Sequence, residues 1–331
     1  MSALTCASPL RPPNAAAICS GHHETQDFDE QAALLKGWNQ DYAQISSGHF
    51  SGYVSEIQFD DVYLFLEYTS QSLFQSGQLG VDVIAVGVPL ATNNQGMFCG
   101  ETSEAESMHV FSGQNGFEFF SPSELVMSGI SVSRSAVLSL LAPEEQQLLQ
   151  QNCRQAHVQC LEPGKIAAMR EFMANVFRLT EQSPGLLQKR NIASSLRSTV
   201  LALLADCLVD QRQVTPDLLS PSKCWNIIAD SRELVRSRAE SPVSVAELCQ
   251  HLGISRRTLQ YCFQNVLDTS PVAYLRAERL NGVRRMLKDA NSVTEAAAYW
   301  GFWHFGHFSQ EYKKMFGELP SVTFKRLRAL H

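Results

Sequence analysis

One helical pattern occurs twice near the carboxyl end of this 331-residue chain. The first copy opens at Ser244 with the letters SVAE, and the second opens 48 residues later at Ser292 with SVTE. Each opening has the form of a capping box, in which a serine hydroxyl and a glutamate satisfy amide donors at a helix start. A glycine that ends the helix follows in each copy, Gly253 and Gly301. The duplication therefore predicts two similar helical units.

A second predicted helix follows each glycine, and its apolar residues recur four positions apart as one buried stripe. These residues are Leu259, Phe263 and Leu267 in the first copy, and Phe308, Tyr312 and Phe316 in the second. A helix, a short glycine turn and a second helix make up the helix-turn-helix unit, whose second helix can enter the major groove of DNA. A single copy also occurs in α-domains that bind no nucleic acid, but two copies in register are harder to explain by generic packing.

Three stretches resemble the DNA-binding domain of the AraC/XylS group of bacterial transcription regulators. They are GISRRTLQYCFQ (253–264), SPVAYLRAERLNGVRRML (270–287) and GFWHFGHFSQEYKKMFGELP (301–320). The resemblance covers about residues 223–331 and implies two helix-turn-helix units joined by a long helix. The joining helix is predicted to start with Ser270 as its cap and Pro271 in its first position.

A narrower resemblance begins near the amino end. Residues 37–69, GWNQDYAQISSGHFSGYVSEIQFDDVYLFLEYT, are similar to the opening of the effector domain in regulators of ethanolamine utilisation. This resemblance implies that ethanolamine and adenosylcobalamin act as effectors, with no cofactor required for DNA binding. Regulators of other pathways, such as virulence or quorum sensing, share similar openings and respond to a different ligand or to none.

Charge is divided unevenly along the chain. Residues 241–331 hold 12 Lys and Arg against 7 Asp and Glu, a net +5, and residues 1–240 hold 15 against 26, a net −11. The sum is the overall charge of −6. One basic end on an acidic body is expected when only one domain meets phosphate.

Cysteine usage indicates a reduced compartment. The nine cysteines are scattered, odd in number and never in a C-x-x-C pair, which argues against a disulfide framework or a zinc site. The longest apolar run, 81–91, is too short to cross a membrane, and no basic start marks a signal peptide. We therefore expect a cytoplasmic protein with no membrane partner.

The texture of the sequence predicts an α+β fold in four regions. Residues 1–25 are predicted to be a disordered tail. The adjacent His22 and His23 in this tail are predicted to be solvated, and the alternative is that they bind a metal. Residues 26–142 read as a helix over about 27–46 followed by short alternating strands, an antiparallel, cupin-like β-barrel that senses an effector. Residues 143–222 read as a helical linker whose apolar stripes are either core or a dimer face, and residues 223–331 as an all-α DNA-binding domain.

A small barrel either fills its interior with side chains or holds one ligand, and the sequence does not decide between them. Strand alternation places Phe65 on one face with Tyr63 and Glu67, and Tyr68 on the other. The residues predicted to bind an effector are Trp38, Phe65, Glu67 and Tyr68.

The first recognition helix is predicted to present four residues to DNA, namely Arg256, Arg257, Gln260 and Tyr261. The family pattern implies base contacts at Arg257, Gln260 and Tyr261. Arginine pairs with guanine and glutamine with adenine through two hydrogen bonds each. Arg256 is assigned to phosphate, which positions the protein without reading sequence. The alternative is an ordinary solvated helix surface.

The second recognition helix has an unusual composition, and its predicted DNA-binding residues are His304, Phe305, His307 and Gln310. Phe305 can contact thymine methyl groups, or it can belong to the core. The spacing of His304, His307 and Glu311 also allows a metal site, although no further ligand is near. Five basic residues are predicted to contact the DNA backbone or to be plain solvated charge: Arg284, Arg285, Lys288, Lys313 and Lys314.

The sequence has to be compared with three classes of protein: an enzyme, an architectural DNA-binding protein and a regulator that responds to an effector. An enzyme needs a site, and the chain has no P-loop, G-x-S-x-G, H-E-x-x-H or Rossmann fingerprint, so no catalytic residue and no metal is assigned. A purely architectural DNA-binding protein needs no separate domain of about 200 residues. The sequence therefore predicts an effector-responsive activator. Its predicted partners are double-stranded operator DNA, RNA polymerase, a small-molecule effector and a second copy of itself.

We expect the substitution Arg257→Ala to abolish protection of one half of the DNA site while the protein still folds, because a bidentate contact to guanine is lost. DNase footprinting together with circular dichroism measures both properties. Unchanged protection of both halves would refute the role given to Arg257.

Overall fold

The computed structural model describes residues 19–111, 115–161, 163–183, 185, 190–208, 221–238, 243, 245–254, 256–302 and 305–329. The chain divides into two units. The first comprises residues 1–42, 51–70 and 75–216, and the second comprises residues 43–50, 71–74 and 217–331. Among the described residues, none of the helices combines the length and the apolar character needed to cross a bilayer.

Strands dominate the chain before residue 134, and helices dominate it afterwards. In chain order the elements up to residue 208 are β1 (Cys19–Thr25), α1 (Phe28–Leu34), β2 (Trp38–Gln44), β3 (Gly52–Phe59), β4 (Val62–Thr69), β5 (Leu73–Leu79), β6 (Val83–Ala91), β7 (Gly96–Phe98), β8 (Glu101–Ser103), β9 (Ser107–Phe111), β10 (Phe117–Ser121), β11 (Leu125–Ser133), α2 (Arg134–Leu138), α3 (Pro143–Asn152), β12 (His157–Cys160), α4 (Pro163–Gln182) and α5 (Arg190–Leu208).

The strands form two sheets. The larger has seven strands in the order β1-β3-β4-β11-β6-β9-β12, and the smaller has five in the order β2-β5-β10-β7-β8. The central pairs of the larger sheet, β3 with β4, β4 with β11 and β11 with β6, are antiparallel. Such antiparallel pairs are joined by short turns, which agrees with the turn residues that separate the strands in the sequence.

Both faces of the larger sheet are buried at its central strands, which explains why β4, β6 and β11 are apolar at most positions. One face carries Ile57, Leu64 and Val86 and shares a core with α4 and α5. The other face carries Tyr63 and Phe65 and packs in a second, largely aromatic core. The first unit is thus layered, with helices on one side of the large sheet and an aromatic core on the other.

The predicted mixed α+β class is confirmed, but the predicted closed barrel is wrong. The larger sheet ends in β1 on one side and β12 on the other, so it is not closed on itself. Alternation within a strand shows which side chains share a face, but not which strands pair at the ends of a sheet. The sequence therefore predicts strands without fixing closure.

Two predictions for the amino-terminal region are also wrong. Residues 19–25 form a strand that pairs with β3 instead of a disordered tail, while residues 1–18 lie outside the described residues. The helix predicted over 27–46 ends at Leu34, and β2 follows after Gly37, whose φ is +79°. Trp38 and Tyr42 misled the prediction, because a spacing of four residues satisfies both the helical and the strand period.

The region predicted as a helical linker differs from that description in two ways. The four-residue strand β12 interrupts the helices and pairs with β9. Helices α4 and α5 contribute Ile166, Met169 and Leu204 to the same core as the large sheet. Their apolar stripes are therefore core within one chain. A dimer remains a prediction to which no surface is assigned.

The second unit is helical. Its elements are α6 (Pro221–Ser237), α7 (Val245–Leu252), α8 (Arg256–Leu267), α9 (Pro271–Met286), α10 (Val293–Tyr299), α11 (Phe305–Phe316) and α12 (Pro320–Ala329). Helix α6 agrees with the predicted first helix of the DNA-binding region. Helix α9 starts as predicted, since Ser270 accepts a hydrogen bond from the Ala273 amide at 3.2 Å and Pro271 occupies the first turn.

Helix α9 is buried over most of its surface, since ten of its sixteen residues are buried, while Val272 and Arg276 are exposed. Gly282 is the point of closest approach, because a side chain there would overlap the indole ring of Trp300. Arg284 was predicted to contact DNA or solvent. This prediction is wrong, because Arg284 is buried 3.7 Å from the carboxylate of Glu318. A charge that is taken out of water requires such a partner.

Glu318 joins three helices of the second unit. Its Oε1 accepts hydrogen bonds from Thr323 at 2.6 Å and Arg326 at 2.9 Å, both on α12, and faces Arg284 on α9. Thr323 in turn accepts a hydrogen bond from Tyr312 on α11. Burial alone would raise the pKa of Glu318, but these hydrogen bonds and positive charges outweigh it and lower the pKa.

Residues 43–50 are part of the second unit and are held by paired amides. The backbone N–H of Gln44 donates to Asn281 Oδ1 at 3.2 Å, and Asn281 Nδ2 donates to the backbone carbonyl of Gln44 at 2.8 Å. The Gln44 side chain is buried and donates to the Met315 carbonyl at 2.7 Å. The segment is therefore fixed to α9 and to the last turn of α11.

The sequence argues against a disulfide framework, and it does not predict the one disulfide that the described residues contain. Cys224 on α6 and Cys262 on α8 are bonded, although 38 residues separate them. Packing of α6 against α8 brings them together, and the spacing of cysteines in a sequence carries no information about such a contact.

We expect Asn281→Ala to lower the free energy of unfolding of the second unit by about 2 kcal/mol. The substitution leaves the backbone N–H and carbonyl of Gln44 buried without Asn281 as their partner. Urea unfolding followed by circular dichroism measures the change. The exposed Asn93→Ala is the control and should change the free energy by less than about 0.5 kcal/mol. Equal effects of the two substitutions would show that the paired amides do not stabilise this unit.

Candidate functional sites

The second unit contains two successive pairs of a short helix and a longer helix. In the first, α7 and α8 flank a turn with Gly253 at φ +63°, and in the second, α10 and α11 flank a turn with Gly301 at φ +77°. A positive φ of this size favours glycine, because a Cβ atom would clash with the backbone. Both glycines thus end the short helix as the sequence predicts.

The start of α10 carries the predicted serine cap. Ser292 Oγ accepts a hydrogen bond from the Glu295 amide at 3.1 Å, while the Glu295 carboxylate accepts from the Asn291 amide at 2.9 Å. The glutamate thus reaches one residue further than in a standard capping box. Ser244, the corresponding predicted cap in the first copy, lies outside the described residues.

Helix α8 has one buried and one exposed face. Leu259 and Phe263 are buried as predicted, whereas Gln260 and Tyr261 face solvent, with Tyr261 52% exposed. Arg256 and Arg257 form the first turn of the helix, but their side chains lie outside the described residues. Gln260 and Tyr261, the two described residues of the surface predicted to read DNA, are therefore exposed to solvent.

Helix α11 repeats this division. Phe308 and Tyr312 are buried, whereas His307, Gln310 and Lys314 are exposed. Their spacing of three and four residues puts the three exposed side chains on one face of the helix. The predicted DNA contact His304 and the side chain of Phe305 lie outside the described residues, so the choice between core and surface for Phe305 stays a prediction.

The alternative metal site on α11 stays a prediction, because His304 lies outside the described residues. Glu311 is 3.3 Å from Arg276 in an ion pair, and the described residues contain no cluster of three or more His, Cys, Asp or Glu side chains with suitable spacing. Of the other basic residues, Lys288, Lys313 and Lys314 are exposed and Arg285 is half-buried. These four remain candidates for backbone contacts.

A second candidate site is a small cavity of about 20 Å³ in the first unit. Trp38, Phe65 and Glu67, three of the predicted effector residues, line it. The remaining lining residues are Leu35, Gln40, Tyr42, Thr69, Gln75, Phe111, Phe117, Phe119, Leu125 and Met127. Trp38 meets Phe65, Phe111 and Phe117 edge to face, with ring centroids 4.7 to 5.6 Å apart. The cavity therefore has aromatic walls.

The polar end of the cavity is formed by Glu67. Its Oε1 accepts hydrogen bonds from Tyr42 at 2.8 Å and from Gln31 at 3.0 Å. Burial raises the pKa of Glu67 to about 7, although the two hydrogen bonds act to lower it. The carboxyl group can therefore change charge near neutral pH when its surroundings change.

Two further polar groups at the cavity have no hydrogen-bond partner among the described residues. They are Trp38 Nε1 and Thr69 Oγ1, and both are buried. Unpaired buried polar atoms are rare because each costs about 1–3 kcal/mol. A ligand with a polar group, or an internal water molecule, would satisfy them.

The fourth predicted effector residue, Tyr68, is not at the cavity. It lies on the opposite face of β4, as the alternation predicts, and its hydroxyl donates to Glu124 at 2.7 Å. This hydrogen bond raises the pKa of Tyr68 to about 12. The structure therefore brings Trp38, Phe65 and Glu67 together and leaves Tyr68 apart.

Most of the residues that line the cavity are not predicted from the sequence. Thr69, Gln75, Phe111, Phe117 and Phe119 come from four different strands, and only the three-dimensional pairing of those strands brings them together. The phenylalanines could be recognised as core candidates, but nothing local marks them as neighbours of Glu67.

Comparison with known proteins supports the assignment of the second unit. Residues 248–326 match the family model described as "Helix-turn-helix domain". The "Probable thc operon regulatory protein" of Rhodococcus erythropolis is 34% identical over 144 residues, which cover 40% of this chain and 43% of that protein. The "XylDLEGF operon transcriptional activator 3" of Pseudomonas putida is 35% identical over 98 residues, which cover 28% of this chain and 30% of the activator.

A solved structure also aligns over most of the chain. The AraC-like transcriptional activator CuxR covers 78% of this chain at 11% identity with a TM-score of 0.44. The chain spans less than half the length of the two relatives named above. The family model thus confirms a helix-turn-helix domain over residues 248–326. The AraC-type resemblance and the narrower ethanolamine resemblance stay predictions.

We expect Glu67 to make the first unit less stable as pH rises from about 4.3, the ordinary pKa of a free glutamate, to about 7. In this window the folded protein holds a proton that the unfolded chain has released, so stability falls with rising pH. The free energy of unfolding of the wild type, relative to Glu67→Gln, should therefore fall by about 2 kcal/mol between pH 5 and 7.5.

Urea unfolding at the two pH values tests this expectation, with the same substitution at the exposed Glu24 as the control. If the wild type and Glu67→Gln keep a constant difference in free energy across this range, the raised pKa of Glu67 is wrong.

Proposed function

We propose that this protein is a sequence-specific DNA-binding transcription regulator that acts as an activator. The observation that carries the proposal is the repeated division of α8 and α11 into a buried apolar face and an exposed polar face, within the region that matches the helix-turn-helix model. Two named relatives are an operon regulatory protein and a transcriptional activator, which agrees with this reading.

Helix α8 reads bases in this proposal. Gln260 pairs with adenine, Tyr261 contacts base edges or methyl groups, and Arg257 pairs with guanine. Arg256 binds phosphate at the start of the helix, where backbone amides also favour an anion. The exposure of Gln260 and Tyr261 supports these roles.

Helix α11 contributes a second and weaker reading surface. His307 and Gln310 reach base edges, and we keep His304 and Phe305 in the proposed surface from the sequence. Lys314, exposed on the same face, binds the DNA backbone. The residues proposed to read bases on α11 include no arginine or lysine, whereas those on α8 include Arg257, which favours a larger part for DNA shape in this half.

The buried joining helix α9 holds the two reading helices within one unit. Successive major grooves on one side of DNA are about 34 Å apart. We therefore propose an operator with two contacted segments, one for each helix pair. RNA polymerase is the partner expected of an activator, and a homodimer in the cytoplasm completes the proposal.

The cavity in the first unit is proposed to receive a small effector. Glu67, with a pKa near 7, would ionise beside a bound ammonium group, and the aromatic walls would stabilise the same cation through their faces. Ethanolamine has this chemistry. Adenosylcobalamin does not fit a cavity of this size, so no role in the cavity is given to it.

The second candidate function is a regulator of another pathway that responds to a different ligand or to none. The observation that favours it is the size of the cavity, about 20 Å³, which holds little more than a water molecule without movement of its walls. In that case Glu67 and its partners would be a buried polar network that serves stability.

We expect the full-length protein to enrich one sequence from a pool of randomised DNA duplexes, and footprinting to show two protected segments about 10 base pairs apart. Gln260→Ala and Gln310→Ala should each weaken binding of the enriched duplex, by roughly 5- to 100-fold for a bidentate contact. Gln147→Ala, an exposed glutamine on α3, is the matched control. A pool that shows no enriched sequence would overturn the proposal.

We expect ethanolamine to raise the melting temperature of the full-length protein, because a ligand that binds only the folded state stabilises it. Ethylene glycol, a neutral molecule of similar shape, should have no effect, and Glu67→Gln should lose the response to ethanolamine. Adenosylcobalamin is measured alone and with ethanolamine. Equal shifts with the two small molecules, or no shift with ethanolamine, would favour the second candidate.

A further inference from the structure

Two cysteines in the second unit are placed where a disulfide can form and break. Cys224 lies in the first turns of α6, and Cys262 lies in the middle of α8. Their Cα atoms are 4.7 Å apart, within the range that disulfide bonds require. Both residues are buried, and the sulfurs are bonded.

The other described cysteines do not form a stabilising framework with this pair. Cys99, Cys160 and Cys249 are thiols. A framework disulfide is typical of small secreted domains, whereas a lone pair in an otherwise thiol-containing protein is typical of redox-sensing chemistry. The pair therefore differs in kind from a structural staple.

The position of Cys262 gives the bond a consequence for α8. Cys262 lies on the buried face between Leu259 and Phe263, directly after the exposed Tyr261. A disulfide brings two sulfurs closer than two thiols can approach, so reduction moves the sulfurs apart, through rotation of the side chains or movement of α8 away from α6. Because protein interiors are densely packed, α8 must adjust as a body when the separation changes.

We propose that Cys224 and Cys262 form a reversible disulfide that controls how tightly α8 binds DNA. This inference rests on the DNA-binding function proposed above. The bond fixes α8 to α6, so the reading residues lose less conformational freedom when they meet DNA. The oxidised protein is the tight-binding form, and the reduced protein is the weak-binding form.

The oxidant is a low-molecular-weight disulfide such as oxidised glutathione. The Cys224 thiolate attacks one sulfur of that molecule, forms a mixed disulfide and releases one small thiol. The Cys262 thiolate then attacks the Cys224 sulfur, forms the protein disulfide and releases the second small thiol. Two protein thiols are oxidised, one small disulfide is reduced to two thiols, and no other reactant is needed.

Cys224 is suited to the first attack. It lies one turn from the start of α6, where the helix opens more easily than α8 opens at its middle. Cys224 is 5% exposed and Cys262 2%, so the small disulfide reaches Cys224 when the first turn of α6 opens locally. Cys262 reacts second, from inside the unit.

The experiment uses the full-length protein, equilibrated in buffers of graded oxidised-to-reduced glutathione ratio and then trapped by alkylation. Peptide mapping by mass spectrometry measures the fraction of protein with a disulfide between Cys224 and Cys262, and we expect this fraction to rise with the ratio. The dissociation constant for the enriched duplex should be at least fivefold lower for the oxidised protein than for the reduced protein.

Two variants and two controls separate the switch from misfolding. Cys224→Ala and Cys224→Ser should keep the circular dichroism spectrum, bind DNA like the reduced wild type and lose the redox response. Cys160→Ala in the first unit and Cys249→Ala on α7 should keep the response. No crosslink in the oxidised protein, a crosslink that glutathione cannot reduce, or equal dissociation constants in both states would overturn the inference.

The failure of the proposed function is distinguishable from these outcomes. If the protein binds no DNA in either state, the regulator function fails and the switch fails with it, although the mapped crosslink then stands by itself. If DNA is bound equally in both states, only the switch fails.

Discussion

The enclosed position of α9 is the constraint on which the helical unit depends. Ten of its sixteen residues are buried, so each of their contacts has to be complementary in shape or charge. Gly282 leaves room for the Trp300 ring, Arg284 faces Glu318, and Asn281 pairs with the backbone of Gln44. A buried helix with these polar groups is stable only because each of them has a partner.

A different constraint governs the first unit. The central strands of its large sheet are buried on both faces, so one face packs on helices and the other forms an aromatic core. That core is almost filled, and the small cavity that remains holds the carboxyl group of Glu67. Enclosing an ionisable group in an apolar environment links its protonation to whatever else occupies the cavity. This link gives the cavity a chemistry that an ordinary packing defect lacks.

How much of this was predictable from the sequence depends on how local each signal is. The starts of α9 and α10 and the glycine turns follow from residues within a few positions of Ser270, Ser292, Gly253 and Gly301, and the structure has them as predicted. The pairing of β1 with β3, the insertion of β12, the cavity lining and the Cys224–Cys262 bond all join residues far apart in the chain. Periodicity shows which face of an element is buried, but it does not name the element that covers that face.

The residues of α9 are mostly buried, whereas the proposed reading positions on α8 and α11 are exposed, and this difference affects how such a protein can evolve. Gln260, Tyr261, His307 and Gln310 face solvent, and substitutions at positions of this kind usually change stability by no more than about 0.5 kcal/mol. Changes at these positions alter the surface that would meet DNA while the interior stays intact. In the DNA-binding role proposed above, single replacements at these positions can change the target sequence, whereas replacements at the buried positions of α9 lower the stability of the unit.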